Sequence, residues 1–372
     1  MSKRAPFRFD IVGSFLRPER LREARAGFEA GAISRDQLAA VEDECITELV
    51  AKQKAAGLEV LTDGEFRRAT WHLDFMWGFD GIGHRKTETG LPFVGEDAMI
   101  DDTYLVGKLA YPETPHPFID HFRFLKRFED ETHVAKLTIP APAQFLEQLA
   151  MPFAMPVTSQ FYDTPEDVAD ALVDVYRRFI AEAYEAGVRN LQLDDCSWGL
   201  FVDSRATAFF GCTEEELDGI IELYLSVNNR ALEGRPDDLT VTTHVCRGNF
   251  HSTYAASGAY DRIASYLFAR ENVDAFYLEF DDDRSGGFEP LRSVAEGKKV
   301  VLGLVTTKSP ELEDAEAVKA RIAQASEILP LERLCLSPQC GFASCEIGNK
   351  LTEDEQWEKI ALVKKIADEV WG

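Results

Sequence analysis

Short apolar runs bounded by turn residues alternate along this chain with longer stretches in which apolar positions recur every three or four residues. Eight strand candidates result: 9–14 (FDIVGS), 58–65 (LEVLTDGE), 133–142 (HVAKLTIPAP), 190–195 (NLQLDD), 239–246 (LTVTTHVC), 275–280 (AFYLEF), 299–305 (KVVLGLV) and 334–341 (LCLSPQCG). Most are continuously apolar rather than alternating, which is the pattern of strands covered on both faces. Helical periodicity runs over 36–56, 166–187, 214–233, 311–328 and 352–370. Before two of these helices, TPEDV (164–168) and TEEEL (213–217) place a threonine ahead of an acidic first turn, where a helix dipole welcomes negative charge. Strands alternating with helices predict an α/β fold with parallel pairing and right-handed crossovers. The count of eight predicts a single (β/α)8 barrel of the TIM type, with an open doubly wound sheet as the competing arrangement.

The stretch 67–132 is too long for an ordinary connection between a strand and a helix. It is rich in aromatic residues, glycine and proline, and it predicts a lid-like excursion after the second strand, lying over the barrel mouth. The N-terminal run containing LRPERLREARAGFEAG is expected to cover the bottom or side of the barrel. With no repeats or low-complexity linkers, residues 1–372 read as one barrel domain. Apolar residues make up 45% of the chain and 25 of its residues are phenylalanine, enough for a large core. The formal net charge of −25 opposes binding to nucleic acid or to anionic membrane surfaces. Neither a spanning segment nor a secretory leader is apparent, and the seven cysteines show no CxxC spacing, so a cytoplasmic protein with reduced thiols is expected. The sequence leaves open whether copies of the chain associate.

In a barrel the chemistry sits where strands end. Those positions carry Gly13 and Ser14, Asp63 and Glu65, Pro140, Asp194 and Asp195, His244 and Cys246, Glu279, Lys308 just past strand seven, and Cys340. His244 and Cys246 stand two apart in a strand, so both project from one face. Such a pair alone is more often core than ligand. Glu279 and Cys340 at the ends of strands six and eight turn it into a His/Cys/Glu/Cys set, which suits zinc better than magnesium or calcium. Zinc with an exchangeable position would keep an incoming thiol ionised and nucleophilic. Glu65 and Asp194 are placed to hold an α-ammonium group, with the backbone of Gly13 and Ser14 receiving a carboxylate; the bland reading is that these acids and their neighbours only cap the following turns. The other five cysteines read as small buried hydrophobes.

The series VGSF, TDGEF, LQLDD, THVC, LEF and SPQCG resembles the catalytic C-terminal domain of cobalamin-independent methionine synthase, and most closely its short single-domain relatives. The resemblance covers nearly the whole chain. It implies zinc on His244, Cys246, Glu279 and Cys340, and a homocysteine site formed by Val12, Gly13, Ser14, Glu65 and Asp194. It also implies transfer of a methyl group, as from 5-methyltetrahydrofolate, to homocysteine to give methionine. The donor side departs from the family: Leu200 stands where the family has an acid used for the folate, Glu147 where it stacks a tryptophan on the folate, and Lys308 where it has a proton-donating histidine. Lys308 therefore becomes a candidate general acid or a binding group for an anionic donor, and His72, beside Trp71, a candidate lining residue of the donor pocket. Two alternatives stay open: an alkyltransferase with another electrophile, such as the epoxyalkane:coenzyme M transferases, and a non-catalytic barrel stabilised by zinc.

Overall fold

The computed structural model describes residues 4–87 and 90–372, so Glu88 and Thr89 of the predicted excursion lie outside the described residues. The fold is α/β. Seven of the eight predicted strand positions carry short strands, the third of the eight being split in two: β1 (Val60–Leu61), β2 (Val134–Ala135), β3 (Leu137–Pro140), β4 (Asn190–Asp195), β5 (Thr240–Val245), β6 (Ala275–Glu279), β7 (Lys299–Val305) and β8 (Leu334–Pro338). The last six form one parallel sheet in chain order from β3 to β8, while β1 pairs in parallel with β2. Residues β2 and β3 belong to a single predicted strand interrupted at Lys136, whose N–H still donates to Leu61 O at 2.9 Å.

The first two predicted strands are shorter than expected because side chains take their ladder groups. Asp10 accepts from the backbone N–H of Phe7 (2.9 Å) and Ile11 (2.8 Å), so the segment 9–14 is reduced to a parallel bridge between Phe9 and Leu336. Gln53 engages both backbone groups of Thr62, at 2.8 and 3.0 Å, and the second strand stops at Leu61. The segment nevertheless touches both neighbours: Asp10 N–H donates to Leu336 O (3.1 Å) and Phe15 N–H to Gly64 O (3.1 Å).

Helices cover the outer face at the predicted places, with Arg35–Ala55, Pro165–Glu185, Glu214–Ala231, Ala315–Ser326 and Glu353–Trp371 close to the periodicity. Thr164 and Thr213 form complete capping boxes with Asp167 and Glu216. The main core lies between these helices and the strands, whereas Val12, Tyr277, Val301 and Cys335 form a separate buried cluster. Strand alternation puts Tyr277 on the face that carries Glu279 two residues later. The excursion contains a short helix (Leu73–Met76), an antiparallel pair (Asp80–Arg85 with Asp102–Ala110), a hairpin (Leu91–Phe93 with Glu96–Ala98) and a helix (Pro117–Lys126). Its hairpin is tied to the loop after β5, with Val94 N–H donating to Tyr254 O (2.9 Å) and Thr253 Oγ1 to Val94 O (2.6 Å). No described helix is long and apolar enough to cross a membrane.

Candidate active site

β5 and β6 are in register at His244 and Tyr277, which sets Cys246 and Glu279 beside each other at the next inward level. Cys340 arrives two residues after β8. The ligand atoms of His244, Cys246 and Cys340 all lie within 4.8 Å of one another, and all three residues are buried. His244 Nε2 stands 3.4 Å from Cys340 Sγ, and the two sulfurs are 3.7 Å apart. On the other side of the ring, His244 Nδ1 donates to Tyr277 O at 3.2 Å, which selects the tautomer whose Nε2 lone pair faces the thiols. Hydrogen bonds from the Cys196 and Cys340 thiols hold Cys246 well below the ordinary thiol range, while its proximity pushes Cys340 well above it.

Glu279, the expected fourth ligand, does not belong to this compact trio. Its Oε1 accepts from Gln339 Nε2 (2.6 Å) and from Arg247 N–H (3.3 Å), which draw the carboxylate toward β8 and the loop after β5. Its Oε2 is buried and has no hydrogen-bond partner. Burial and the nearby Cys246 push its pKa up to about 7. Two thiols, an imidazole nitrogen whose lone pair faces them and a buried carboxylate oxygen without a hydrogen bond, 3.8 Å from Arg247 Nη1, make a donor set that fits zinc.

The two pairs of adjacent acids separate by role. Asp63 accepts from the N–H of Glu65 (2.9 Å) and Asp195 from that of Ser197 (3.1 Å), so these two cap turns. Glu65 and Asp194 instead line a cavity of about 690 Å³ that also exposes His244, Cys246 and Cys340. Glu65 sits at φ 62°, a left-handed conformation that a non-glycine residue adopts at a cost and that recurs at functional sites. Its Oε1 accepts from Thr138 Oγ1 (3.1 Å) and pairs with Arg68 (3.4 Å), leaving the buried Oε2 without a partner. Asp194 Oδ1 accepts from Gln192 Nε2 at 2.7 Å. Burial pushes the Asp194 pKa up to about 7, with Glu65 adding to it and His244 opposing it, and burial raises Glu65 against the charges of Arg68 and Arg17.

Of the other expected residues, Val12, Ser14 and His72 line the same cavity, and Gly13 lies behind it, its carbonyl accepting from Thr62 Oγ1 (2.6 Å). Lys308, the candidate general acid, is not among the residues that line the cavity. Its ammonium is buried with no hydrogen-bond partner and acts on Glu279 and Cys340 through its charge. Leu200 and Glu147, the two departures on the donor side, both face the cavity, as do residues of the excursion from Gly90 to Phe93 and Ile100 to Tyr104. Cys196, read from sequence as structural, lines it too.

The sequence reading passed over the polar residues beneath the site. Lys136 Nζ donates to Gln192 Oε1 (2.8 Å) and pairs with Asp10 (3.2 Å), and Gln192 carries the chain of bonds on to Val12 O and Asp194. A lysine and a glutamine inside otherwise apolar strands are the signal that could have revealed this network, since such groups are buried only with partners.

Comparison with known proteins places these features in context. The family model for the catalytic domain of cobalamin-independent synthase matches residues 9–86 and 156–361. The uncharacterized protein YxjH of Bacillus subtilis is 42% identical over 370 residues, covering 99% of this chain and 96% of that protein. The methionine synthase of Sulfurisphaera tokodaii is 24% identical over 338 residues, covering 89% of this chain and 85% of its own length. Among solved structures, a Listeria monocytogenes protein described as a candidate vitamin-B12-independent methionine synthase superposes with a TM-score of 0.78 at 36% identity, covering 100% of both chains.

Proposed function

The chain belongs to the cobalamin-independent methionine synthase catalytic-domain family, and from that premise we propose that it is a zinc-dependent thiol S-methyltransferase that methylates homocysteine to methionine. We also propose that residues 8–15, hydrogen-bonded to Leu336 on one side and Gly64 on the other, close the parallel strands into one (β/α)8 barrel. On this reading residues 1–372 are a single domain, 67–132 form a lid over its mouth, and the enzyme works in the cytoplasm.

The observation that carries the reading is the cavity of about 690 Å³, whose wall brings the thiol and imidazole cluster together with Glu65 and Asp194. His244, Cys246 and Cys340 would hold the zinc, with Oε2 of Glu279, which accepts no hydrogen bond, as the fourth donor. The metal, when bound, supplies the Lewis acidity that keeps a substrate thiol ionised near neutral pH. Glu65 and Asp194 hold the α-ammonium group of the amino acid, and the backbone around Val12, Gly13 and Ser14 receives its carboxylate, so the thiol is presented in one orientation. Lys136 and Gln192 keep Asp194 in place from below. Lys308 offsets the negative charge gathered at Glu279 and Cys340. A purely structural zinc site is closed; a cavity reaching three of the ligand residues favours an exchangeable one.

Replacing one ligand tests the reading. Cys340→Ser should lose zinc and thiol methyl transfer together, measured as metal content after dialysis and methionine formed from homocysteine. A variant with full zinc and full activity would refute it.

A further inference from the structure

This inference rests on the reading just given and concerns the methyl donor. Away from the thiol cluster the cavity is walled by Leu149, Met151, Phe153, Val157, Leu200 and Phe209. Three guanidinium groups reach the wall and each is engaged. Arg85 pairs with Asp102 (3.3 Å), Arg205 grips Asp203 with bonds of 2.8 and 2.9 Å, and Arg247 donates to Gly258 O (2.7 Å) and Tyr260 OH (2.9 Å). No lysine lines the cavity among the described residues. Burial keeps His72 neutral by pushing its pKa down to about 3.

Glu147 shares this wall. Its carboxyl accepts from Gln144 Nε2 at 3.2 Å, and among the described residues no cation pairs with it. Burial, with the Asp195 charge adding to it, pushes its pKa up to about 8. Two further groups of the wall, His72 Nδ1 and Glu65 Oε2, are buried without hydrogen-bond partners; these residues are 4% and 3% exposed. A ligand rich in carboxylates would meet, on this wall, only guanidinium groups that already hold an acid or a carbonyl, and it would face Glu65, Glu147 and Asp194. A cationic ligand would bring the counter-charge that Glu147 lacks, and its methyl groups would pack on aliphatic and aromatic surface.

We propose that this wall binds an onium methyl donor, a sulfonium or quaternary ammonium compound, with Glu147 as its counter-charge and specificity determinant. In the transfer, the homocysteine thiolate forms a sulfur–carbon bond to the methyl group. The bond from that methyl to the onium atom breaks with its electron pair, releasing a neutral sulfide or tertiary amine. No proton has to be delivered to the leaving group.

Calorimetric titration of the zinc-loaded protein with choline and with its neutral isostere 3,3-dimethylbutan-1-ol tests the charge preference without any turnover. Choline should bind at least about tenfold more tightly, and Glu147→Gln should remove the difference while zinc content stays unchanged. Equal binding of the isostere by the unaltered protein, or a preference that survives Glu147→Gln, would overturn the proposal. Trimethylsulfonium and tetramethylammonium, each supplied with homocysteine, then tell which onium class gives up its methyl. Methylation from 5-methyltetrahydrofolate but from neither onium would overturn the donor assignment and leave thiol methylation standing. Choline selectivity in a protein whose zinc environment ignores homocysteine would instead break the thiol reading alone.

Discussion

Asp194 and Asp195 are chain neighbours with opposite duties, and the difference comes from strand alternation. Asp195 turns toward the helix side, where Ser197 and Asn228 hydrogen-bond it, whereas Asp194 faces the cavity with a pKa pushed up to about 7 by burial. An arriving ammonium group supplies the charge that Asp194 lacks. Asp194→Asn should therefore weaken homocysteine binding by about tenfold to a hundredfold, the worth of one charge-assisted bond, without reducing zinc content. Calorimetry with homocysteine and metal analysis check this; unchanged affinity would remove Asp194 from the substrate site. Residues at this scale were legible in sequence where strand ends collect reactive types, as with His244, Cys246 and Cys340. Glu65 and Asp194 are also singled out in sequence from their pairs with Asp63 and Asp195, and both line the cavity, whereas their neighbours cap turns. Sequence could not show that Gln339 and Arg247 hold Glu279 apart from the other three groups, since those contacts join β8 and the loop after β5 to β6.

At the scale of elements, β4 and β7 match their predicted spans end to end, and every main helix starts within a few residues of its periodicity. These segments obey one dominant rule each, burial on both faces for strands and one apolar stripe for helices. The first two strands broke the expectation because Asp10, inside its own segment, and Gln53, on the preceding helix, compete for backbone groups. Gly303 in β7 shows how an element positions the site. A Cβ there would meet Leu278 O and the Cα of Gln339, each at 2.8 Å, so glycine lets β6 and the residue after β8 close in on β7 from either side, where Gln339 reaches Glu279. Gly303→Ala should lower the thermal midpoint by several degrees, for a cost of about 1–3 kcal/mol, and weaken zinc retention. Calorimetric scans of the protein with and without zinc measure both. A variant that equals the parent in both would show that the strands have room to spare.

For the molecule as a whole, stability carries a signature of its buried acids. Glu271 is fully buried, accepts one bond from Asn228 Nδ2 (2.8 Å), and has its pKa pushed up to about 8 by burial and by the charge of Asp195. The folded state thus binds this proton more tightly than the unfolded chain, whose glutamates titrate near about 4.3. The group's contribution is full at low pH and is lost as pH rises through that window, by about 1.4 kcal/mol per pH unit, levelling off above about 8. Glu271→Gln should abolish this term, so its stability relative to the parent should increase between pH 6 and pH 8 in urea titrations. A difference that does not change with pH would place the proton elsewhere. The central claim is that zinc in this cavity exchanges a ligand position for the thiol of homocysteine. X-ray absorption at the zinc edge of the loaded protein, recorded before and after homocysteine is added, tests it most directly. The account predicts a mixed sulfur and nitrogen or oxygen coordination that gains one sulfur when homocysteine binds. A spectrum that homocysteine leaves unchanged would contradict it.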